Sequence, residues 1–558
     1  MNSLLKAIQE ELNITFTENG DIAYKSTLNK NLDFFSGISQ FYHGRGSDRL
    51  IYMFLEAFGE DKVTALKNLF YLRDIRKGAG ERSATRSVLV YLANNNPEVF
   101  KFIVPIIPEL GRWDDLTKIL PEIFNVDSVN YLVDFIQNQL SEDIKNYKEG
   151  KSISLLAKWM PSLNNKKQRS LAISWKNLIF GKQAPYKDYQ HILVLLRQRL
   201  DLVETYLTNS DYTFDYNKLP AKASLRYRSA FDKNDKDRYE KFINNLSKDY
   251  SDKVNKLQPQ EILRLIGKNG YLPRYNTVSE EKIKLANAYW KAFPRQEYKS
   301  DKNMIVVRDG SGSMVGEPLE VATAMAIFAS EQLSGDFKDK FITFSRNPQL
   351  VDLGNCDTFY EKLLKISKYD DISNTDFDKT FKLLYNANIK AKEEDRIDEI
   401  LVISDMQFDK HSFNANNSTF DKWKVKFLNA GMKMPKVIFW NVRLNGVVYP
   451  NIDLDNVYLV SGYSKAILED AMRGIEPDAL KHMKSVLSKY DNYFKNTIEI
   501  KSEPFVYKPQ FFKEEAQQLQ KFYLDKRTKD LIKSLDESNE RMNKTIENLQ
   551  NSLSELQD

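Results

Sequence analysis

From about residue 300 onward the sequence repeats one alternation. A short apolar run with little polar interruption is followed by a stretch of helical spacing. The runs are Met304-Ile-Val-Val307, Lys340–Phe344, Glu399-Ile-Leu-Val-Ile403, Val437–Val442 and Val457–Val460. Helices are expected near Glu317–Leu333, Thr358–Ser367, Phe377–Asn388 and Phe420–Ala430. A strand that is apolar on both faces must be covered on both, and helices between successive strands supply those covers. The alternation therefore predicts a doubly wound α/β domain built on a parallel sheet.

The half before it reads differently. Between about 30 and 295 apolar residues recur at three and four, as in Leu50, Phe54, Ala57 and Phe58, or Leu193, Leu196, Leu200, Val203 and Leu207. Gly78, Gly80, Pro97, Pro105, Gly111, Pro161, Pro185, Pro220 and Pro273 punctuate the stretch. Many medium helices with short breaks suggest an α-solenoid of HEAT-like repeats, although no clean period is present. The expected fold class is thus multidomain α plus α/β. Its divisions are a 1–29 extension, a 30–298 helical-repeat domain, a 299–480 α/β domain and a 481–558 helical extension. In that extension Leu535, Met542, Leu549 and Leu556 lie seven apart, with Ile546 and Leu553 beside them, a heptad-like seam over 528–558. Ser538, Thr545 and Ser552 interrupt the seam, so the helix is expected to dock on its own chain or a partner, or to pair weakly with itself.

Of 558 residues 42% are hydrophobic and 12% aromatic, enough for real cores and too much for a disordered chain. The single cysteine, Cys356, makes no intramolecular disulfide, which fits a reducing, cytoplasmic setting. Four scattered histidines argue against a histidine-based zinc site. No run approaches the ~18 apolar residues of a membrane span. The N-terminus, MNSLLKAIQEELNITF, is amphipathic and acidic rather than a signal peptide.

The net charge of +5 is unevenly spread. Residues 1–300 carry 46 Lys+Arg against 36 Asp+Glu, and residues 151–200 carry ten basic residues against one acid, Asp188. Such a surface suits a polyanion, or is a solvated face with counter-charges elsewhere in the fold.

The strongest local motif is Asp309-Gly-Ser-Gly-Ser313, directly after the first apolar run. One carboxylate and two hydroxyls on a tight loop offer hard oxygens to a hard cation, Mg²⁺ or Mn²⁺. Gly310 and Gly312 are expected to let the loop turn. Thr375, in Ser373-Asn-Thr375-Asp, can add a third hydroxyl, and Asp405, after the run ending at Ile403, a second carboxylate. The glycine spacing G-x-G-x-x-x-G is wrong for a dinucleotide loop, and Ser311 stands where a haloacid-dehalogenase-type phosphatase needs a second aspartate. No Ser/His/Asp set, P-loop or glutamate–histidine metal motif is present, so no enzymatic activity is expected.

In order, spacing and placement these pieces resemble the metal-ion-dependent adhesion site of von Willebrand factor A domains. The resemblance covers about 300–480 and implies metal ligation by Ser311, Ser313 and Thr375, with Asp309 and Asp405 acting directly or through water. A sixth position would be left for an acidic group of a partner.

Ahead of it come Leu72-Arg-Asp-Ile-Arg-Lys-Gly-Ala-Gly-Glu-Arg82, Gly111-Arg-Trp-Asp-Asp-Leu116 and Leu155-Leu-Ala-Lys-Trp-Met-Pro-Ser162. Leu195–Leu200, Leu219–Ala223 and Phe231–Tyr239 follow. Taken in order, these resemble an uncharacterised plant, fungal and viral domain family that is itself similar to the TROVE module of the Ro autoantigen. That likeness implies a helical ring closed by the A domain and a ribonucleoprotein role. Arg73, Arg76, Lys77 and Arg82 around a glycine loop, and Lys158, Lys166, Lys167, Arg169 and Lys176 near Trp159 and Trp175, are compatible with phosphate and base contacts. The bland reading makes Trp113 and Trp159 core residues and pairs Asp74, Asp114 and Asp115 with neighbouring arginines. The expectation is a non-enzymatic RNA-binding protein with a divalent-metal site. The alternative is a metal-dependent protein-interaction or assembly factor, viral or phage, without RNA.

Overall fold

The computed structural model describes residues 3–246, 250–268, 278–295, 302–344, 347–369, 376–409, 419–444, 446–450, 455–474 and 476–495. The heptad-like seam at 528–558 lies outside the described residues. The chain divides into two compact units. The first gathers 1–46, 56–81 and 215–492, and the second 47–55, 82–214 and 493–558. These units cut across the sequence divisions. The start and end of the helical half group with the α/β sheet.

In the first unit a short antiparallel hairpin comes first, β1 (Ile14–Phe16) and β2 (Ile22–Tyr24), after a helix Ser3–Asn13. The sheet follows as β3 (Met304–Asp309), β4 (Lys340–Phe344), β5 (Leu350–Asp352), β6 (Glu399–Ser404), β7 (Lys436–Asn441) and β8 (Val457–Ser461). Among the described residues its order is β5-β4-β3-β6-β7-β8. All pairings are parallel except β4 with β5. The short antiparallel edge strand β5 was not foreseen. β3, β6, β7 and β8 are buried along their whole length, as strands covered on both faces must be.

The helix Glu317–Ser330 explains why the end of the helical half joins this unit. Every residue from Pro318 to Ser330 is buried. Mostly small and apolar residues let it be covered on every side, and its buried polar groups are bonded, Glu320 to Arg264 and Thr323 to Arg308. It packs on β3 and on the helix Pro259–Leu263. Farther along, Trp290 stacks on Phe359 with ring centroids 3.9 Å apart, and its Nε1 donates to Glu331 at 3.0 Å.

The second unit is helical among its described residues. Its longest helix, Val126–Lys148, buries Val129, Leu132, Val133, Ile136, Leu140 and Ile144, a stripe at helical spacing. Neighbours Pro97–Ile103, Arg169–Phe180 and Tyr186–Arg199 pack against it. Arg86 bridges Asp114 and Asp115, its Nη2 2.9 Å from each. Burial works to raise the Asp114 carboxyl, but Arg86 and Lys118 hold it below its ordinary value.

Candidate metal centre at the sheet's switch point

The order of strands reverses between β3 and β6, so their carboxyl ends open a crevice where the connections diverge to opposite sides. Open α/β sheets place ligands there. β3 ends on Asp309 and β6 on Ser404, with Asp405 next in the chain.

Asp309 is fully buried, Asp405 4% exposed and Ser311 3% exposed. Asp309 Oδ1 accepts from the Ser311 backbone N–H at 2.9 Å, and its Oδ2 accepts from Ser404 Oγ at 2.5 Å. Ser311 Oγ lies 3.1 Å from Ser313 Oγ, and Ser313 also bonds the Asp405 carboxyl. Gln407 N donates to Asp405 Oδ1 at 3.1 Å. Asp309, Ser311, Ser313 and Asp405 thus meet in one place. Thr375 lies outside the described residues.

Burial raises the Asp309 carboxyl, and the neighbouring Asp405 charge raises it further. The bonds from Ser404 and Ser311 oppose the shift. Asp405 is raised as well, again chiefly by burial. Two carboxylates held together away from water are costly unless a cation or proton neutralises them. A divalent cation does so and brings the deprotonated form with it.

The backbone carries the turn elsewhere than the glycine pattern suggests. Neither Gly310 nor Gly312 has a positive φ. The left-handed glycine is Gly316, at φ +112, just before the helix Glu317–Ser330. On the β6 side Met406 is left-handed at φ 62 although only 2% exposed, and its N–H donates to Ser404 Oγ at 3.1 Å. A bulky residue in that region is uncommon and is kept only where the surroundings over-determine it.

Sequence reasoning missed the residues that reach the site from a distance. Thr17 Oγ1 donates to Phe408 O at 2.7 Å, Glu18 N to Gln407 Oε1 at 2.6 Å and Asn19 Nδ2 to Gln407 O at 2.7 Å. Arg443, two residues past β7, donates from Nη2 to Glu18 Oε1 at 2.5 Å. Glu18 raises the Asp405 carboxyl and Arg443 lowers it, so all three share one field. Nothing local in the sequence pairs residue 18 with residue 443. Among the described residues no three His, Cys, Asp or Glu side chains gather around one metal position. The donor set fits a hard cation through two carboxylates and hydroxyls, and not a histidine- or thiolate-bound metal.

The expected phosphate contacts are placed as follows. Arg73 is 1% exposed and Lys176 2% exposed. Lys176 spends its ammonium on the carbonyls of Gly181 and Lys182 at 3.1 and 2.9 Å. Neither presents a cation to a polyanion, which corrects that expectation for both. The Leu72–Arg82 segment is a closed structural loop. Asp74 Oδ1 accepts the N–H groups of Arg76 and Lys77, and its Oδ2 the Tyr490 hydroxyl at 3.0 Å. Asp74 thus caps its own loop. Arg76 and Lys77 are exposed and Arg82 half-buried. Lys158 pairs with Glu204 at 3.4 Å and lies near the Trp159 ring, with Arg112 5.0 Å from the ring centroid. Trp113 and Trp175 are core, Trp175 donating to Thr117 O at 2.8 Å, whereas Trp159 is half-buried. Lys166, Lys167 and Arg169 are exposed and have no acidic side chain in ion-pair reach among the described residues.

Strand order and site together define a class of protein: helical segments joined to an open α/β sheet that carries two buried carboxylates and two hydroxyls at its switch point. The chain is 30% identical over 519 residues to "Uncharacterized protein L728" of Acanthamoeba polyphaga mimivirus, covering 86% of this chain and 88% of that protein. It belongs to the family of that viral protein. Residues 303–507 match a family described as domain of unknown function DUF7788, and residues 17–129 and 181–296 one described as domain of unknown function DUF2828. No helix among the described residues is long and apolar enough to cross a membrane.

Proposed function

We propose that this is a non-enzymatic binding protein whose α/β sheet holds a divalent cation, Mg²⁺ or Mn²⁺, and uses it to grip a carboxylate of a protein partner. One observation carries the reading: two buried carboxylates, Asp309 and Asp405, are linked through Ser311, Ser313 and Ser404 at the switch point of the sheet. Oxygen donors in this number leave room for an outside ligand. The resemblance to the von Willebrand A adhesion site supports the same assignment. The metal would be held by Asp309, Ser311, Ser313 and Asp405, and would supply a Lewis-acidic contact for the partner's carboxylate. The test is Mn²⁺ binding to the full chain by calorimetry. Saturable binding lost in Asp309→Ala supports the reading, and binding that survives that change overturns it.

A second reading, RNA binding by the helical segments, is favoured by the exposed Lys166, Lys167 and Arg169, which have no acidic side chain in ion-pair reach among the described residues. Titrating a duplex RNA with a single-stranded 3′ tail against salt tests it. Binding that weakens steeply with salt supports it, and none at low salt removes it.

A further inference from the structure

The hairpin β1–β2 is set down on the loop that follows β6. Its turn, Thr17 to Gly20, is fastened by three hydrogen bonds to Gln407 and Phe408 and by a bridge from Gly20 to Asp409. A second bridge joins Tyr24 to Tyr449, and Thr419 N donates to Asp21. These contacts fix the backbone of residue 18 beside the Asp405 loop, while the Glu18 side chain stays 65% exposed and, among the described residues, is bound at its tip by Arg443. A long carboxylate is thus anchored at its base, unconstrained along its stem and within electrostatic reach of Asp405. Arg443 binds the Glu18 carboxylate and its positive charge also lowers the Asp405 carboxyl, so one cation serves both.

We propose that Glu18 is an internal ligand of the metal site, so that when a divalent cation is bound the Glu18 carboxylate leaves Arg443 and closes the metal's open position. This rests on the assignment of the cation to Asp309 and Asp405. A partner's carboxylate then has to displace Glu18, and the hairpin acts as a strap that sets the threshold for capture. Arg443 is the resting place of the strap.

The experiment uses the full chain, Mn²⁺ as the probe and water-proton relaxation as the readout. Replacing Glu18 by Gln keeps the backbone bond to Gln407 and should leave the melting temperature unchanged. Expected for Glu18→Gln are one more inner-sphere water on the bound Mn²⁺, about tenfold weaker Mn²⁺ binding, and displacement of that water by acetate at lower concentration than in the unmodified protein. Thr17→Val loosens the strap without removing its carboxylate and should shift relaxation in the same direction by less. Identical relaxation in Glu18→Gln and the unmodified protein, with binding abolished by Asp309→Ala, would overturn the role of Glu18 and leave the metal site standing. Mn²⁺ binding insensitive to Asp309→Ala would overturn both.

Discussion

Ser404 gives its hydroxyl hydrogen to Asp309 at 2.5 Å, joining the ends of two neighbouring parallel strands. The same oxygen accepts the N–H of left-handed Met406 at 3.1 Å. One hydroxyl therefore orients a carboxylate on β3 and shapes the turn that delivers Asp405. Ser404→Ala should leave the sheet folded but lower Mn²⁺ affinity by about ten- to a hundredfold, as loss of an orienting partner does. Calorimetry with circular dichroism on the same samples checks this. Unchanged affinity would mean that the bond only finishes the turn.

Arg86 neutralises two aspartates that are almost wholly buried. Arg86→Met would remove the cation that Asp114 and Asp115 share, leaving Lys118 at 3.0 Å from Asp114. Breaking one side of a buried pair costs about 3–5 kcal/mol. Denaturant unfolding should show a loss of that order, with Asp114→Asn recovering part of it in the Arg86→Met background.

The loop after Arg73 closes on Gly78, where a methyl group would stand 2.2 Å from the Tyr71 carbonyl oxygen and 3.0 Å from Asp74 Cβ. Gly78→Ala must push the loop off Asp74 and should destabilise by about 1–3 kcal/mol, the range for overpacking. Gly59, whose added Cβ meets nothing within 4 Å, is the control: Gly59→Ala in the helix Ser47–Glu60 should be neutral or stabilising. Thermal melts of the two variants decide it.

His482 is buried against Tyr458, ring centroids 3.9 Å apart, and burial depresses its pKa to about 3, with Lys436 and Lys489 adding to the effect. The unfolded chain takes up a proton near its ordinary value of about 6.5, and the folded one resists it. Stability present above that value is lost as pH falls from about 6.5 towards 3, by up to ~1.4 kcal/mol per pH unit from this group. Melts between pH 7 and 4 should show the decline. His482→Phe, which keeps a ring on Tyr458, should flatten it.

If the helical segments bind RNA, replacing Lys166, Lys167 and Arg169 together by Ala should lower the salt slope by about two units, at roughly 0.7 per phosphate contact on single strands. The melting temperature should not change, since all three side chains are exposed. An unaltered slope places the contacts elsewhere.

Much of the sheet was legible because burial on both faces writes itself as uninterrupted apolar runs. β3, β4, β6, β7 and β8 fall where those runs lie. β1, β2 and β5 did not show, being three residues each and too short to establish a period. The D-x-S-x-S spacing alone is enough to seat Asp309, Ser311 and Ser313 on one turn, because the loop is local. Glu18 and Arg443 were invisible, since their meeting depends on topology and not on spacing. Arg73 and Lys176 misled because a long cationic side chain reads as surface until its burial is seen. The packing of the helix Pro259–Leu263 on the buried helix Glu317–Ser330 was not legible either, because it joins elements on both sides of residue 298 through contacts that no local pattern records.

The seat of the hairpin has a consequence for how the protein is made. Thr17 bonds Phe408, 391 residues farther along the chain. A two-stranded ribbon of this length has little stability alone. During synthesis at roughly 5–20 residues per second it waits about 20–80 seconds before its docking surface leaves the ribosome. Closure of the α/β unit is therefore a late event in biogenesis, and nascent chains cut short of Phe408 would leave the hairpin without its seat.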